Sequence, residues 1–498
     1  MEIHFGEWKL SHFILWPLVI VSLGLASILL RILYNVTLHP LCKYPGPKLW
    51  AATRIPYALM IIRGDPHTTI LDLHRRYNAD IIRVAPDELS FQHPDAWKDI
   101  MGHRGKGVEE NDKDPYIIDE VRNHIIAGER HDHTRYRRIL SHSFSARSMQ
   151  EQQPLIIGYV NLLLERLHSI AGQGPINMVS WYNFTTFDVI GDLAFGQSFG
   201  CLEKSGYHPW VSLIFNNSKM RVMMNTARRF GPLASLLKKL VPRSVVEKGK
   251  AHNALVRERV NQRMALNTPR PDFAEAMIRR KGSESLSQEG IYENSGVLIV
   301  AGSETTATAL SGATYFLTAN PDTLARLSNE IRSSFTSEDE INLLSTAKLD
   351  YLNAVIEESL RMYPPVPGAR LRVTPPEGAE ILGQWIPGNT TVGIGQWAMF
   401  HNEKLFSRPF EFHPERFLGD PAFASDSLDA LKPFHIGPRN CLGMNLAYAE
   451  MRVILSRVVW AFDMRLEAGS RGWDQNQTNH TLWDKPPLMI HLTPRKSS

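Results

Sequence analysis

The stretch Phe434-His435-Ile436-Gly437-Pro438-Arg439-Asn440-Cys441-Leu442-Gly443 decides the reading of this 498-residue chain. It is a turn-rich loop running into an apolar helix expected from Leu442 through Leu455. Cys441 would stand just before the N-terminus of that helix, where free backbone N–H groups and the helix dipole favour a thiolate. Gly437 and Gly443 would let the backbone approach something flat and bulky. Arg439 supplies a permanent cation able to pair with a carboxylate, and Phe434 an apolar cover over the sulfur.

These features suit a cysteine that ligates haem iron, against the plainer alternative of a buried structural cysteine. The F-x-x-G-x-R-x-C-x-G pattern fixes five positions, and a chance match at this composition is rare, on the order of one chain in ten thousand. The rest of the composition is compatible. Hydrophobic residues make up 43% and charged residues 21%, with 33 Gly and 31 Pro, which excludes collagen-like, low-complexity and wholly disordered chains. Lys+Arg 55 against Asp+Glu 51 gives a net charge of +4, which argues against a nucleic-acid partner. Three cysteines, Cys42, Cys201 and Cys441, are too few for a disulfide scaffold and suit a reducing compartment. The 19 histidines show no H-E-x-x-H spacing, and paired C-x-x-C is absent, which argues against a zinc enzyme.

Upstream, Phe13 to Leu30 is a run of 18 uncharged residues, continued past Arg31 by Ile32, Leu33 and Tyr34. That length approaches the roughly 20 apolar residues of a membrane-spanning helix. The start Met1-Glu2-Ile3-His4 lacks the basic region of a secretory signal, and bulky Ile28-Leu29-Leu30 stand where a cleavage site would be. Basic residues Arg31, Lys43, Lys48 and Arg54 follow the run, which puts the body of the chain on the cytosolic side. The expected organisation is a short lumenal segment 1–12, an anchor 13–34, a proline-rich elbow 35–50 and one large domain 51–498. His39-Pro40-Leu41-Cys42-Lys43-Tyr44-Pro45-Gly46-Pro47 forms the elbow, too rich in proline to continue a helix.

Helical periodicity dominates the body. Helices are expected over Leu155–Ala171, Asn183–Leu193, Ala251–Met264, Leu352–Tyr363 and, longest, Ser287–Ala319, capped by Ser287 and stopped by Asn320-Pro321. The middle of that longest helix, Val297 to Ala301, is apolar on every side and predicts burial all round. Residues 203–245 read as short helices joined by turns. Strands are few: Ile81–Arg83, Leu89–Phe91, Glu380–Ile381, Thr391–Ile394 and Leu488–His491. The fold class is mainly α with a small β region.

Three further motifs stand in this frame. Ala301-Gly302-Ser303-Glu304-Thr305-Thr306 lies mid-helix, where Gly302 costs about 1 kcal/mol relative to Ala and so asks for a reason. A groove over a flat cofactor, with a proton source beside it, is one reason; a kink with back-bonded Thr is the other. Glu358 and Arg361 share a helix face at i and i+3. Arg130 to Phe144 is a basic helix with an apolar stripe.

Together these motifs resemble the cytochrome P-450 superfamily of haem-thiolate monooxygenases, over nearly the whole chain. The resemblance implies the cytochrome P-450 fold, haem b as cofactor and Cys441 as axial ligand of the iron. It implies that Ala301 borders an oxygen-binding groove and that Glu304 and Thr305 relay protons. Glu358, Arg361 and Arg416 would form a buried network locking the haem region. His133, Arg137, Arg372 and Arg439 would meet the haem propionates, with His133 replacing the usual tryptophan. Substrate-recognition segments would fall at about 104–126, 205–240, 293–305, 366–373 and 480–485, with Ile125, Ile126, Leu298, Ala301, Val366, Ala369 and Leu482 as pocket walls. Arg370 stands where relatives carry an apolar residue; it would read a carboxylate or hydroxyl-rich substrate, or else be a surface arginine.

The elbow and the A-G-S-E-T-T and P-P-V-P-G segments look most like fungal microsomal members of secondary metabolism, of the isotrichodermin hydroxylase-like group. That implies a single-pass protein of the endoplasmic reticulum, hydroxylating or epoxidising a terpenoid, polyketide or alkaloid with O2. With no G-x-G-x-x-G fingerprint in the chain, electrons would come from a separate NADPH-dependent flavoprotein reductase. Desaturation, ring rearrangement or aryl coupling by the same haem chemistry, and a non-catalytic haem or electron-transfer protein, are the alternatives.

Overall fold

The computed structural model describes residues 6–105, 109–116, 123–231, 234, 242–266, 270–278 and 285–495. Parts of two expected recognition segments, 106–108 and 117–122 in the first and 232–233 and 235–240 in the second, lie outside the described residues, as do residues 1–5. Helices carry the fold: α1 (Gly6–Thr37), α2 (Arg130–Ser141), α3 (Ala146–Ile170), α4 (Met178–Phe195), α5 (Pro209–Arg228), α6 (Arg243–Ala265), α7 (Gln288–Ala319), α8 (Asp350–Met362) and α9 (Met444–Ala461). Small sheets flank them. The largest has five strands, β1 (Ile81–Ala85), β2 (Glu88–Phe91), β3 (Asp112–Lys113), β4 (Arg372–Val373) and β5 (Thr391–Gly393), in the order β1-β2-β5-β4-β3. Only the β2–β5 pairing is parallel in it.

The central helix α7 begins where its sequence says. Ser287 caps it, its hydroxyl accepting the Gly290 N–H at 3.1 Å, and Pro321 opens the next helix. It packs along α4, which is buried almost throughout, and against α8 and α9. Gly302 has a packing reason: a Cβ there would lie 2.6 Å from Ile190 Cδ1 on α4. Burial of α7 is not all round, contrary to the apolar pattern. Leu298, Ile299, Ser303 and Glu304 are buried, whereas Ala301 is exposed and Thr305 partly open. One stripe of the helix therefore faces an accessible space.

The expectation of short helices over 203–245 is corrected by α5, a single helix of 20 residues. Its start carries Pro209 at the first helical position and the ring of His208 accepting the Trp210 N–H at 3.2 Å. Strand pieces such as Arg372–Val373 and Phe462–Leu466 escaped the sequence reading, being short or followed directly on a helix.

Within α1, Trp16–Thr37 is 22 residues long, with a mean hydropathy of 2.1 and none of its apolar stretch buried inside the molecule. This separates it from a core helix. The chain leaves it through a docked elbow. Asn35 donates from its side chain to the Ala52 carbonyl at 3.0 Å. The fully buried Arg83 donates to the Asn35 carbonyl at 2.8 Å, and its backbone N–H to the Pro45 carbonyl at 2.7 Å. Gly46 lies against the same strand, where a Cβ would meet the Arg83 carbonyl oxygen at 2.2 Å.

Candidate active site

The cysteine loop is closed by its own backbone. The Cys441 N–H donates to the Phe434 carbonyl at 2.9 Å and the Asn440 N–H to the Gly437 carbonyl at 3.2 Å. Gln396 holds the loop from outside, its amide donating to the Lys432 and Pro433 carbonyls at 3.0 and 2.9 Å. Gly437 takes φ +80°, and a Cβ there would lie 1.9 Å from the Met101 carbonyl oxygen. That glycine is demanded by the protein backbone opposite. Gly443 meets nothing closer than Phe144 at 3.8 Å, so the expectation that both glycines serve a bulky bound group is corrected for Gly437. The ring of Phe434 packs on Tyr448, with centroids 5.0 Å apart. Cys441 is accessible, yet most of its surroundings are protein. This desolvation pushes its thiol upward, opposed by the Gly443 N–H and the charge of Arg137.

Around the loop, cations converge from distant parts of the chain. Arg137 on α2 donates to Asn440, to its carbonyl at 2.7 Å and to its side-chain oxygen. Arg439 pairs with Glu110 at 2.8 Å and donates to the Gly128 carbonyl at 3.0 Å. Arg372, on β4, is buried; desolvation first and Arg439 second bring its pKa down to about 10. Lys113, on β3, is pulled well down by burial and then by Arg372, Arg439 and Arg370. His133 is buried beside the same cations and stays neutral, its pKa lowered to about 3 by desolvation, then by Arg439, Lys113, Arg137 and Arg372. His435 is likewise held down to about 3 by burial and then Arg370, Arg372 and Lys113, and its buried Nε2 has no hydrogen-bond partner. Against this set, Glu110 and Asp112 are the carboxylates acting on it among the described residues. A flat apolar group with two acidic side arms fits such a place, and haem b is such a group.

The proton-relay candidates are on α7. Thr305 donates to the Ala301 carbonyl at 2.7 Å on the accessible stripe. Glu304 is buried and ion-paired with Lys485, which also donates to Thr308 Oγ1 at 2.8 Å. The second carboxylate oxygen of Glu304 has no partner. Burial raises the Glu304 pKa, and Lys485 opposes the rise. Lys485 lies in the 480–485 segment, but a lone lysine between Asp484 and two prolines carries no signal of this contact.

Behind the site, Arg361 donates to both carboxylate oxygens of Glu358 at 2.7 and 2.8 Å and to the carbonyls of Phe400, Pro409 and Glu411. Arg416 lies 2.9 Å from Glu358. Its other partner, Asp426, is a fourth member unseen from sequence. The side chains of Glu358, Arg361, Arg416 and Asp426 are all fully buried.

The expected pocket walls differ in their exposure and packing. Val366, Ala369 and Arg370 line a cleft. Ile125 and Leu298 are packed in the main core, Ile126 is exposed, and Leu482 is half-buried in the hairpin 478–484. Arg370 is half-buried on the cleft wall, so it is not a plain surface arginine.

The family model of Cytochrome P450 matches residues 45–492. A trichothecene C-15 hydroxylase of Fusarium sporotrichioides is 47% identical over 97% of this chain and 99% of its own length. An averantin hydroxylase of Dothistroma septosporum is 42% identical over 95% and 91%, and a cytochrome P450 monooxygenase of Aspergillus oryzae 43% identical over 93% and 94%. A closed cysteine loop before a helix, a convergent set of cations and a buried Glu-Arg-Arg network thus sit in a chain matched nearly end to end, and the chain belongs to the cytochrome P450 family.

Proposed function

We propose that this protein is a haem-thiolate monooxygenase that oxidises a lipophilic small molecule of fungal secondary metabolism by hydroxylation or epoxidation. Haem b, when bound, supplies the activation of O2: one oxygen atom enters the substrate and the other leaves as water, with two electrons from NADPH through a separate flavoprotein reductase and two protons. Cys441 would hold the haem iron through its sulfur, which the backbone hydrogen bonds of its loop leave accessible. Arg372 and Lys113, with Arg137 and Arg439, would neutralise the two propionates, and His133 would border them as a neutral ring. Glu304, buried beside Lys485, would hold a proton, and Thr305, on the open stripe of α7, would pass it on. Ala301 keeps that stripe shallow. The reading is carried by one observation, the accessible Cys441 in a closed loop beside a set of cations that outnumbers the carboxylates acting on it.

The same reading makes α1 a single-pass anchor in the endoplasmic reticulum, with the body cytosolic. The relatives named as hydroxylases support oxygen insertion over desaturation or coupling. The test is the carbon monoxide difference spectrum of the reduced, detergent-solubilised full chain. The long-wavelength Soret band of thiolate ligation is expected, and Cys441→Ser should abolish it. A histidine-type band in gently handled protein, or no bound haem, would overturn the assignment.

A further inference from the structure

The cleft that holds Val366, Ala369 and Arg370 is walled by the helix Ile55–Arg63, the helix Pro66–Tyr77, β2, α5, the segment 366–371 and the hairpin 478–484. Apolar side chains such as Met60, Ile70, Leu89, Val222 and Val366 make most of its surface. Its charged groups are Glu88, Arg229 and Arg370. Glu88 is held by Arg54 at 2.6 Å. Arg229 is held by Asp114, both side chains buried, and stacks 5.0 Å from the Tyr116 ring centroid. Arg370 has no hydrogen bond or ion pair, and is the lining charge left without a partner among the described residues. A second donor lines the same cleft. Asn479 is buried, and its Nδ2 has no partner while its backbone N–H is spent on the Gly64 carbonyl at 2.7 Å. Its side-chain oxygen lies 3.8 Å from where a Cβ on Gly368 would be, two residues before Arg370.

From this arrangement we infer that the substrate is a lipophilic carboxylic acid whose carboxylate is bound by Arg370 and Asn479, with its apolar body along the cleft. The inference rests on the monooxygenase reading above. A guanidinium presents parallel N–H donors that match the two oxygens of a carboxylate, and such charge-assisted pairs are the strong ones in a desolvated site. A neutral carbonyl would satisfy Asn479 and leave the charge of Arg370 uncompensated. The charge of Arg370 is felt by Arg372, Lys113 and His435, and in the reading above Arg372 and Lys113 serve the propionates, which leaves Arg370 as the cation open to a substrate anion. Arg372 does not line the cleft and Arg370 does, which divides their tasks between cofactor and substrate.

The experiment uses the haem-loaded full chain in detergent and two probe pairs: dehydroabietic acid and anthraquinone-2-carboxylic acid, each beside its methyl ester. Binding is read by calorimetry and by the Soret perturbation. The acids should bind at least tenfold more tightly than their esters. Arg370→Leu should erase that preference, leaving ester affinity and haem content unchanged; Arg370→Lys should keep part of it, and Asn479→Leu should reduce it several-fold. Equal binding of acid and ester, or failure of both acids to bind, would overturn the inference. So would an Arg370→Leu variant that keeps the preference but loses haem or shifts its potential, since that assigns Arg370 to a propionate. Loss of the thiolate-type carbon monoxide band, by contrast, would sink the monooxygenase reading, and the calorimetric acid preference would still be measurable.

Discussion

Glu450 shows what a single buried carboxyl does to pH dependence. It lies on α9 with one oxygen unpartnered, and burial raises its pKa to about 8, opposed by the Thr306 hydroxyl. The folded state therefore holds a proton that the unfolded chain releases near pH 4.3. Between those values the native state binds more protons, so this group's contribution to stability is full below the lower pKa and declines as pH rises toward 8. Glu450→Gln should melt several degrees above the wild type at pH 8 and about equally at pH 5; a gap of the same size at both values would show that Glu450 does not titrate there. Lys485 acts on Glu304 with a definite sign. It holds down a pKa that burial raises, so Lys485→Met should move the acid limb of the pH–rate profile upward and lower product formed per NADPH consumed. An unshifted limb in folded, haem-loaded variant would remove Lys485 from the proton path.

At the scale of one element, the cysteine loop makes two glycines distinguishable. Gly437→Ala asks a Cβ to occupy space 1.9 Å from a backbone oxygen at positive φ, with a conformational cost of about 1–2 kcal/mol before any clash. Gly443→Ala meets ordinary contact distances. We expect Gly437→Ala to lose haem on purification and Gly443→Ala to keep it; equal loss would mean that the cofactor, not the loop, sets the need at Gly443. Helix α8 carries the network. Arg361→Met would strand Glu358 without its bidentate partner, and breaking such a buried pair typically costs about 3–5 kcal/mol. The measurement is the yield and melting temperature of haem-loaded protein.

For the whole molecule, the elbow decides how much of the N-terminal apolar helix can be cut away. Asn35, Pro45 and Gly46 are built into the sheet edge through Arg83, which is fully buried and bonded to backbone carbonyls. Removing residues 1–33 should release the protein from membranes and leave its melting temperature within a few degrees of the full chain. Removing 1–46 should destabilise it markedly, because the Arg83 guanidinium and backbone N–H both lose acceptors. Fractionation and thermal melts of the two truncations check this, and equal stability would make the elbow a mere tether.

What depends on neighbours along the chain is legible from the residues alone. Ser287 capping α7, Pro321 ending it, the closed turn before Cys441 and the i,i+3 pair of Glu358 and Arg361 are short-range physics, legible from residue type and spacing. The apolar span of α1 is legible for the same reason, being a matter of length and hydropathy. Tertiary structure decided the rest. Gly302 reads as an isolated helix-breaker until Ile190, more than a hundred residues away, is seen against it. Lys113, Arg137, Arg372 and Arg439 come from four separate stretches, and no spacing rule brings them together. Lys485 reaching Glu304, Asp426 reaching Arg416 and Asn479 standing beside the Arg370 segment are likewise long-range contacts. Local geometry is encoded by local residues, whereas the charge environment of a site is a sum over everything the fold packs around it.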